Sequence, residues 1–98
     1  MSDLLETALN PRTVAIIGAS ENIHKIGGRP IYYMQKGGFK GTIYPINPSR
    51  EEVQGLKSYA SLAQLPEVPE LVLIVVAGDK AVEAVEDCAA RGVKSVVV

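Results

Sequence analysis

The sequence predicts a single small α/β domain built on a parallel, doubly wound sheet. Three observations carry this. Short apolar runs rich in β-branched residues recur at 13–18 (TVAIIG), 42–47 (TIYPIN) and 71–77 (LVLIVVA), and a fourth closes the chain at 94–98 (KSVVV). They are apolar throughout rather than alternating, as expected of strands covered on both faces. Helical patterns separate the first pair and the last pair, and strands alternating with helices imply right-handed crossovers in a Rossmann-like arrangement.

The elements follow in order. After the first strand, residues 29–38 (RPIYYMQKGG) read as a helix, with Pro30 suited to its first turn and Gly37-Gly38 to its end. Residues 49–70, interrupted by Gly55, Pro66 and Pro69, read as an irregular crossover with one helical turn at 61–65 (SLAQL). The second long helix is expected within 78–92, N-capped by Asp79 and closed by Gly92. Its apolar face is read as Val82, Val85 and Ala89, with Cys88 beside them as a small core residue. No internal repeat or interdomain linker interrupts 1–98. The apolar run that ends at Val98 predicts that this domain is the amino-terminal piece of a longer protein.

Composition narrows the function. The chain has 98 residues, 47% of them hydrophobic, enough for one core. Ten basic residues against eleven acidic ones give nucleic-acid binding no broad electrostatic support, although a local basic pocket is allowed. The single cysteine excludes an internal disulfide and fits a reducing cytoplasm. Residues 1–11 (MSDLLETALNP) lack the basic and apolar regions of a signal peptide, and no apolar run is long enough to span a bilayer. A cytoplasmic domain with neither a nucleic-acid nor a membrane partner is expected.

Ligands of doubly wound sheets sit beyond the carboxyl ends of the strands, so three places matter: Gly18 onward, Asn47 onward and Ala77 onward. Gly18 lets the backbone turn sharply, Ala19 is small and Ser20 offers a hydroxyl. The helix that follows is expected to aim its free N–H groups at the same spot, with Gly27 and Gly28 allowing close backbone approach. The dinucleotide fingerprint needs glycines at its first, third and sixth places, whereas here those places hold Gly18, Ser20 and Ile23. After the second strand an NAD site carries an acid for the ribose; here the chain reads Asn47, Pro48, Ser49, Arg50, with Glu51 and Glu52 later. Arg50 points instead to a phosphate near the nucleoside end, as in NADP or coenzyme A.

The combination of VAIIGAS, IGGRP, GGFKGTIYPINPSREE and LVLIVVA resembles the coenzyme A-binding domain that opens the NDP-forming (ADP-forming) acyl-CoA synthetases, relatives of the succinyl-CoA synthetase α subunit. The resemblance covers about 11–98. It implies coenzyme A, or acyl-CoA, as ligand, held by its nucleotide, and further domains of the same parent chain as partners. It assigns Gly18, Ala19 and Ser20 to the phosphate-proximal turn, with Lys25 and Gly27 in the same loop. Asn47, Pro48 and Arg50 fall in the second loop, where the family places a basic residue, often lysine. Val76 and Ala77 stand where many members have Val-Pro.

The parent enzyme implied joins a carboxylic acid to coenzyme A, converting a nucleoside triphosphate to diphosphate and phosphate. The same domain also occurs fused to acetyltransferases and as small stand-alone coenzyme A-binding proteins. An NADP-binding redox domain is the alternative that Arg50 permits. No residue is assigned a catalytic role. The family's phosphohistidine lies in a later domain, and His24 has no carboxylate patterned to orient it. Tyr32, Tyr33 and Met34 read as helix packing. No metal site is expected.

Overall fold

A computed structural model describes residues 12–98. Residues 1–11, read above as lacking a leader, lie outside the described residues. The order is β1 (Thr13–Ile17), α1 (Arg29–Lys36), β2 (Thr42–Ile46), β3 (Glu52–Val53), β4 (Leu56–Lys57), a 3-10 turn (Leu62–Gln64), β5 (Leu71–Ile74), α2 (Asp79–Ala90) and β6 (Ser95–Val97). The four long strands form one parallel sheet in the order β2-β1-β5-β6. This is the expected Rossmann-like topology. The chain winds outward from β1 to β2, then crosses back to β5 on its other side, and the switch places the end of β1 between two loops.

Side chains alternate between two cores, as the period of a strand requires. Val14 and Ile16 face one side with Ile31 of α1 and Val53 of β3, all essentially buried. Ala15 faces the other side with Tyr44, Ile46, Val72 and Ile74, against Ala84 and Cys88 of α2 and Leu62 of the 3-10 turn. Both helices end alike. The Gly38 and Gly92 N–H groups donate to Gln35 and Ala89, and the next residues, Phe39 and Val93, donate to Met34 and Cys88. Gly38 and Gly92 have φ of +77° and +79°, the left-handed turn of a Schellman cap, and Phe39 and Val93 pack back onto the cores.

Several expectations need correction. The third strand ends earlier than the apolar run: Val75 N–H makes a last bond to Ile17 (2.9 Å), and Val76 and Ala77 turn away. The N-cap of α2 is Gly78, at φ +64°, not Asp79, which sits inside the first turn and makes no capping bond. There its charge complements the helix dipole instead. The buried face of α2 is Ala84 and Cys88, with Ala81 half-buried, while Val82 and Val85 are 59% and 40% exposed and Ala89 is exposed. Small residues bring the helix close to the sheet, so the larger valines, one position round, cannot be on the contact face. The crossover at 49–70 contains the β3–β4 hairpin as well as the expected helical turn.

Candidate functional site

The loop after β1 is folded on itself. Gly18 has φ +92°, and a side chain there would come within 2.9 Å of Val76 and 3.0 Å of Val75. Gly18 and Ala19 both donate their N–H groups to the Ile46 carbonyl at the end of β2 (3.2 and 3.3 Å). Ser20 N–H donates to Gly27, the Ser20 hydroxyl accepts from Asn22 N–H, and Asn22 Oδ1 accepts from His24 N–H. Gly27 and Gly28 are buried, and a Cβ on either would collide with the Gly18 or Asn22 carbonyl. The close approach these glycines permit is therefore loop against loop.

The start of α1 differs from expectation. Gly28 and Arg29 N–H both donate to the Lys25 carbonyl (3.0 and 3.1 Å), and Pro30 has no N–H. Turns over 23–28 thus cover the helix end, and it is not the open phosphate cradle that the sequence predicts. Lys25 and His24 project from these turns as exposed residues.

The second loop is tied to the first. Asn47 Nδ2 donates to the Ala19 carbonyl (3.0 Å), its Oδ1 accepts from Ser49 N–H (2.8 Å), and its N–H donates to Tyr59 (2.9 Å). Asn47 is thus a structural tie between two strand ends. Pro48 and Ser49 form an exposed turn that leads to Arg50. Arg50 Nε donates to the Glu52 carbonyl (2.9 Å), and its Nη2 lies 3.5 Å from Glu21 Oε1. These residues border an open groove of about 1020 Å³, where Arg50 and Lys57 are the cations and Glu51 and Glu52 the anions.

A second groove of different character, about 470 Å³, lies at the carboxyl ends of β5 and β6. Val76 and Ala77 line it, with Ile26, Pro30, Val97 and Val98. Of the residues named from the sequence, Asn47, Pro48 and Arg50 thus line one groove and Val76 and Ala77 the other, while Gly18, Ala19, Ser20, Lys25 and Gly27 belong to the loop after β1. Glu21, Ile26 and Gln54 were missed. Ile26, 72% exposed, carries a weak signal as an apolar residue inside a polar loop; Glu21 and Gln54 carry none.

The buried groups elsewhere are quiet. Burial, with a smaller contribution from Asp87, pushes the Cys88 thiol up, so it stays protonated. Among the described residues no group of three or more His, Cys, Asp or Glu could hold a metal ion, and no helix is long and apolar enough to cross a membrane.

Known proteins share this sequence and fold. The α subunit of acetate–CoA ligase (ADP-forming) II from Pyrococcus furiosus is 37% identical over 95 residues, which cover 97% of this chain and 21% of that subunit. The acetate–CoA ligase (ADP-forming) of Methanocaldococcus jannaschii is 39% identical over 90% of this chain and 12% of its own length. Acetyl-coenzyme A synthetase 1 of Ca. Korarchaeum cryptofilum, solved in complex with phosphate and ADP, superposes with a TM-score of 0.89 at 39% identity, over 96% of this chain and 20% of its own. The chain thus spans about an eighth to a fifth of these relatives. With residues 12–98 matching the family described as CoA binding domain, the chain belongs to that family.

Proposed function

We propose that this domain binds coenzyme A for an ADP-forming acyl-CoA synthetase, and that residues 1–98 are one domain of that longer, cytoplasmic chain. The observation that carries the reading is a pair of grooves, one along residues 47–64 after β2 and one beyond β5 and β6 that Ile26 of the 18–28 loop helps to line. The first is of mixed polarity and holds Arg50 and Lys57 together with Glu51 and Glu52; the second is apolar and lined by Ile26, Val76 and Val97. Coenzyme A has a matching division, with a phosphorylated nucleotide at one end and a long uncharged arm at the other. The nucleotide belongs beside Arg50, and the arm crosses the loop toward the apolar side, carrying the thiol away to other domains. Gly18, Ala19 and Ser20 form the floor of that crossing, with Gly27 behind them and Lys25 free to meet a phosphate.

Within the parent reaction, acid plus coenzyme A plus nucleoside triphosphate gives acyl-CoA, diphosphate and phosphate. The domain's share is to hold and orient the coenzyme; the chemistry belongs to other domains. NAD is disfavoured because the residue directly after β2, where an acid would bind ribose hydroxyls, is Asn47, spent on the Ala19 carbonyl. Calorimetric titration of the protein with coenzyme A, NAD and NADP tests the proposal. Coenzyme A should bind most tightly, and a preference for either dinucleotide would overturn it.

A further inference from the structure

We infer that Gln54, at the tip of the β3–β4 hairpin, is a positioning residue that clamps the 20–28 loop in its binding shape; this rests on the reading that coenzyme A lies across that loop. Gln54 and Gly55 form the two-residue turn between Val53 and Leu56, with φ of +51° and +83°. Both are left-handed, as in a type I′ turn, whose preferred sequence is Asn-Gly. Gln54 is the one described residue other than glycine with positive φ. A longer side chain in a conformation that favours a shorter one calls for a reason.

Its contacts supply one. Gln54 Nε2 donates to the Ser20 carbonyl at 3.0 Å and to the Gly28 carbonyl at 2.9 Å, the two ends of the loop. Both partners are acceptors, so the nitrogen must face them, and both of its hydrogens are spent. Gln54 N–H donates to Glu21 Oε1 (2.8 Å), and its carbonyl accepts from Gln35 Nε2 of α1 (3.4 Å). Val53, fully buried beneath, fixes the hairpin. One residue thereby joins the loop, α1 and the carboxylate beside Arg50.

The geometry is specific to glutamine. Asparagine, one methylene shorter, suits the turn better but cannot span to both carbonyls. Glutamate is the same length but sets an anion against two carbonyl oxygens and near Glu21. If Gln54 were only a turn residue, asparagine would serve at least as well.

The test compares Gln54→Asn and Gln54→Glu with the unaltered protein, by amide hydrogen exchange without ligand and by calorimetric titration with coenzyme A. Gln54→Asn keeps a favoured turn and is the variant that decides if Gln54→Glu fails to fold. Exchange at residues 20–28 is expected to rise about tenfold or more in Gln54→Asn, as for the loss of two hydrogen bonds of ordinary strength, while β1 and β5 stay protected. Coenzyme A affinity should fall by about the same factor. Exchange in Gln54→Asn indistinguishable from the unaltered protein would overturn the clamp. Raised exchange with unchanged affinity would overturn its role in binding. If the unaltered protein binds no coenzyme A, the functional reading fails, and the exchange result still decides the clamp.

Discussion

Replacing Arg50 by alanine tests the ligand assignment most directly, because the structure sets how much its charge can contribute. In the free protein its guanidinium is already engaged: Nη2 lies 3.5 Å from Glu21, with both side chains about half exposed (49% and 48%), and Nε is held by the Glu52 carbonyl. An exposed pair of this kind contributes about 0.2–1 kcal/mol. A charge-assisted contact to a phosphate is worth about 1.5–3 kcal/mol. If the phosphate displaces Glu21, the difference, roughly 0.5–2.8 kcal/mol, is what Arg50→Ala removes from binding, or about 2- to 100-fold in Kd. Titration with coenzyme A and with dephospho-coenzyme A, on both proteins, closes a double-mutant cycle around the 3′-phosphate. The loss should be large for the first ligand and less than about twofold for the second. Glu21→Gln keeps an acceptor for Gln54 but frees Arg50, and should tighten coenzyme A by up to about fivefold, most visibly at low salt. Equal losses for the two ligands would refute the reasoning and leave Arg50 as general surface charge.

Three further predictions concern the scaffold. Gly27→Ala places a Cβ against the Gly18 backbone, which has no flexible end to yield, so urea unfolding should report a loss of about 1–3 kcal/mol. Coenzyme A binding should weaken with it. Gly38→Ala, strained at φ +77° but in open space past the carboxyl end of α1, should cost about 1–2 kcal/mol and leave Kd unchanged; matching effects on Kd would count against the loop's role. The Tyr44 hydroxyl donates to Glu67 from a buried site, and that bond, with burial and the carboxylate's charge, pushes it up to about 12. Below its ordinary value near 10 both folded and unfolded chains hold the proton, and the bond's stabilisation is fully present. Between about 10 and 12 the unfolded chain loses the proton first, so stability should fall as pH rises. Urea midpoints measured from pH 8 to 11.5 in a Cys88→Ala background, which removes the thiol's parallel shift, should show the fall, and Tyr44→Phe should flatten it. An unchanged slope in Tyr44→Phe would assign the alkaline loss elsewhere.

What the sequence determined by itself is what local chemistry controls. Buried strands announce themselves because both faces must be apolar, so residues 13–17 and 42–46 were legible to within a residue. Gly38 and Gly92 mark helix ends because few other residues adopt their backbone angles. Gly18 and Arg50 were legible as members of loops that must converge where parallel strands end. The glycine spacing and the residue types after β2 set the sequence apart from the dinucleotide fingerprint, and the assembled motifs carried the family. Tertiary structure decided the rest, since each remaining feature depends on a partner distant in the chain. The contact face of α2 follows from how closely Ala84 and Cys88 approach the sheet, which a hydrophobicity pattern favouring Val82 and Val85 cannot register. The β3–β4 hairpin has two residues per strand and Gln-Gly in its turn, too little local preference to appear before Val53 is buried. Glu21 and Gln54 lie 33 residues apart, and only folding brings them to 2.8 Å. The helix end that the sequence offered as a cradle is closed because hydrogen-bonding groups left open by one segment are taken by whichever neighbour arrives, here the Lys25 carbonyl.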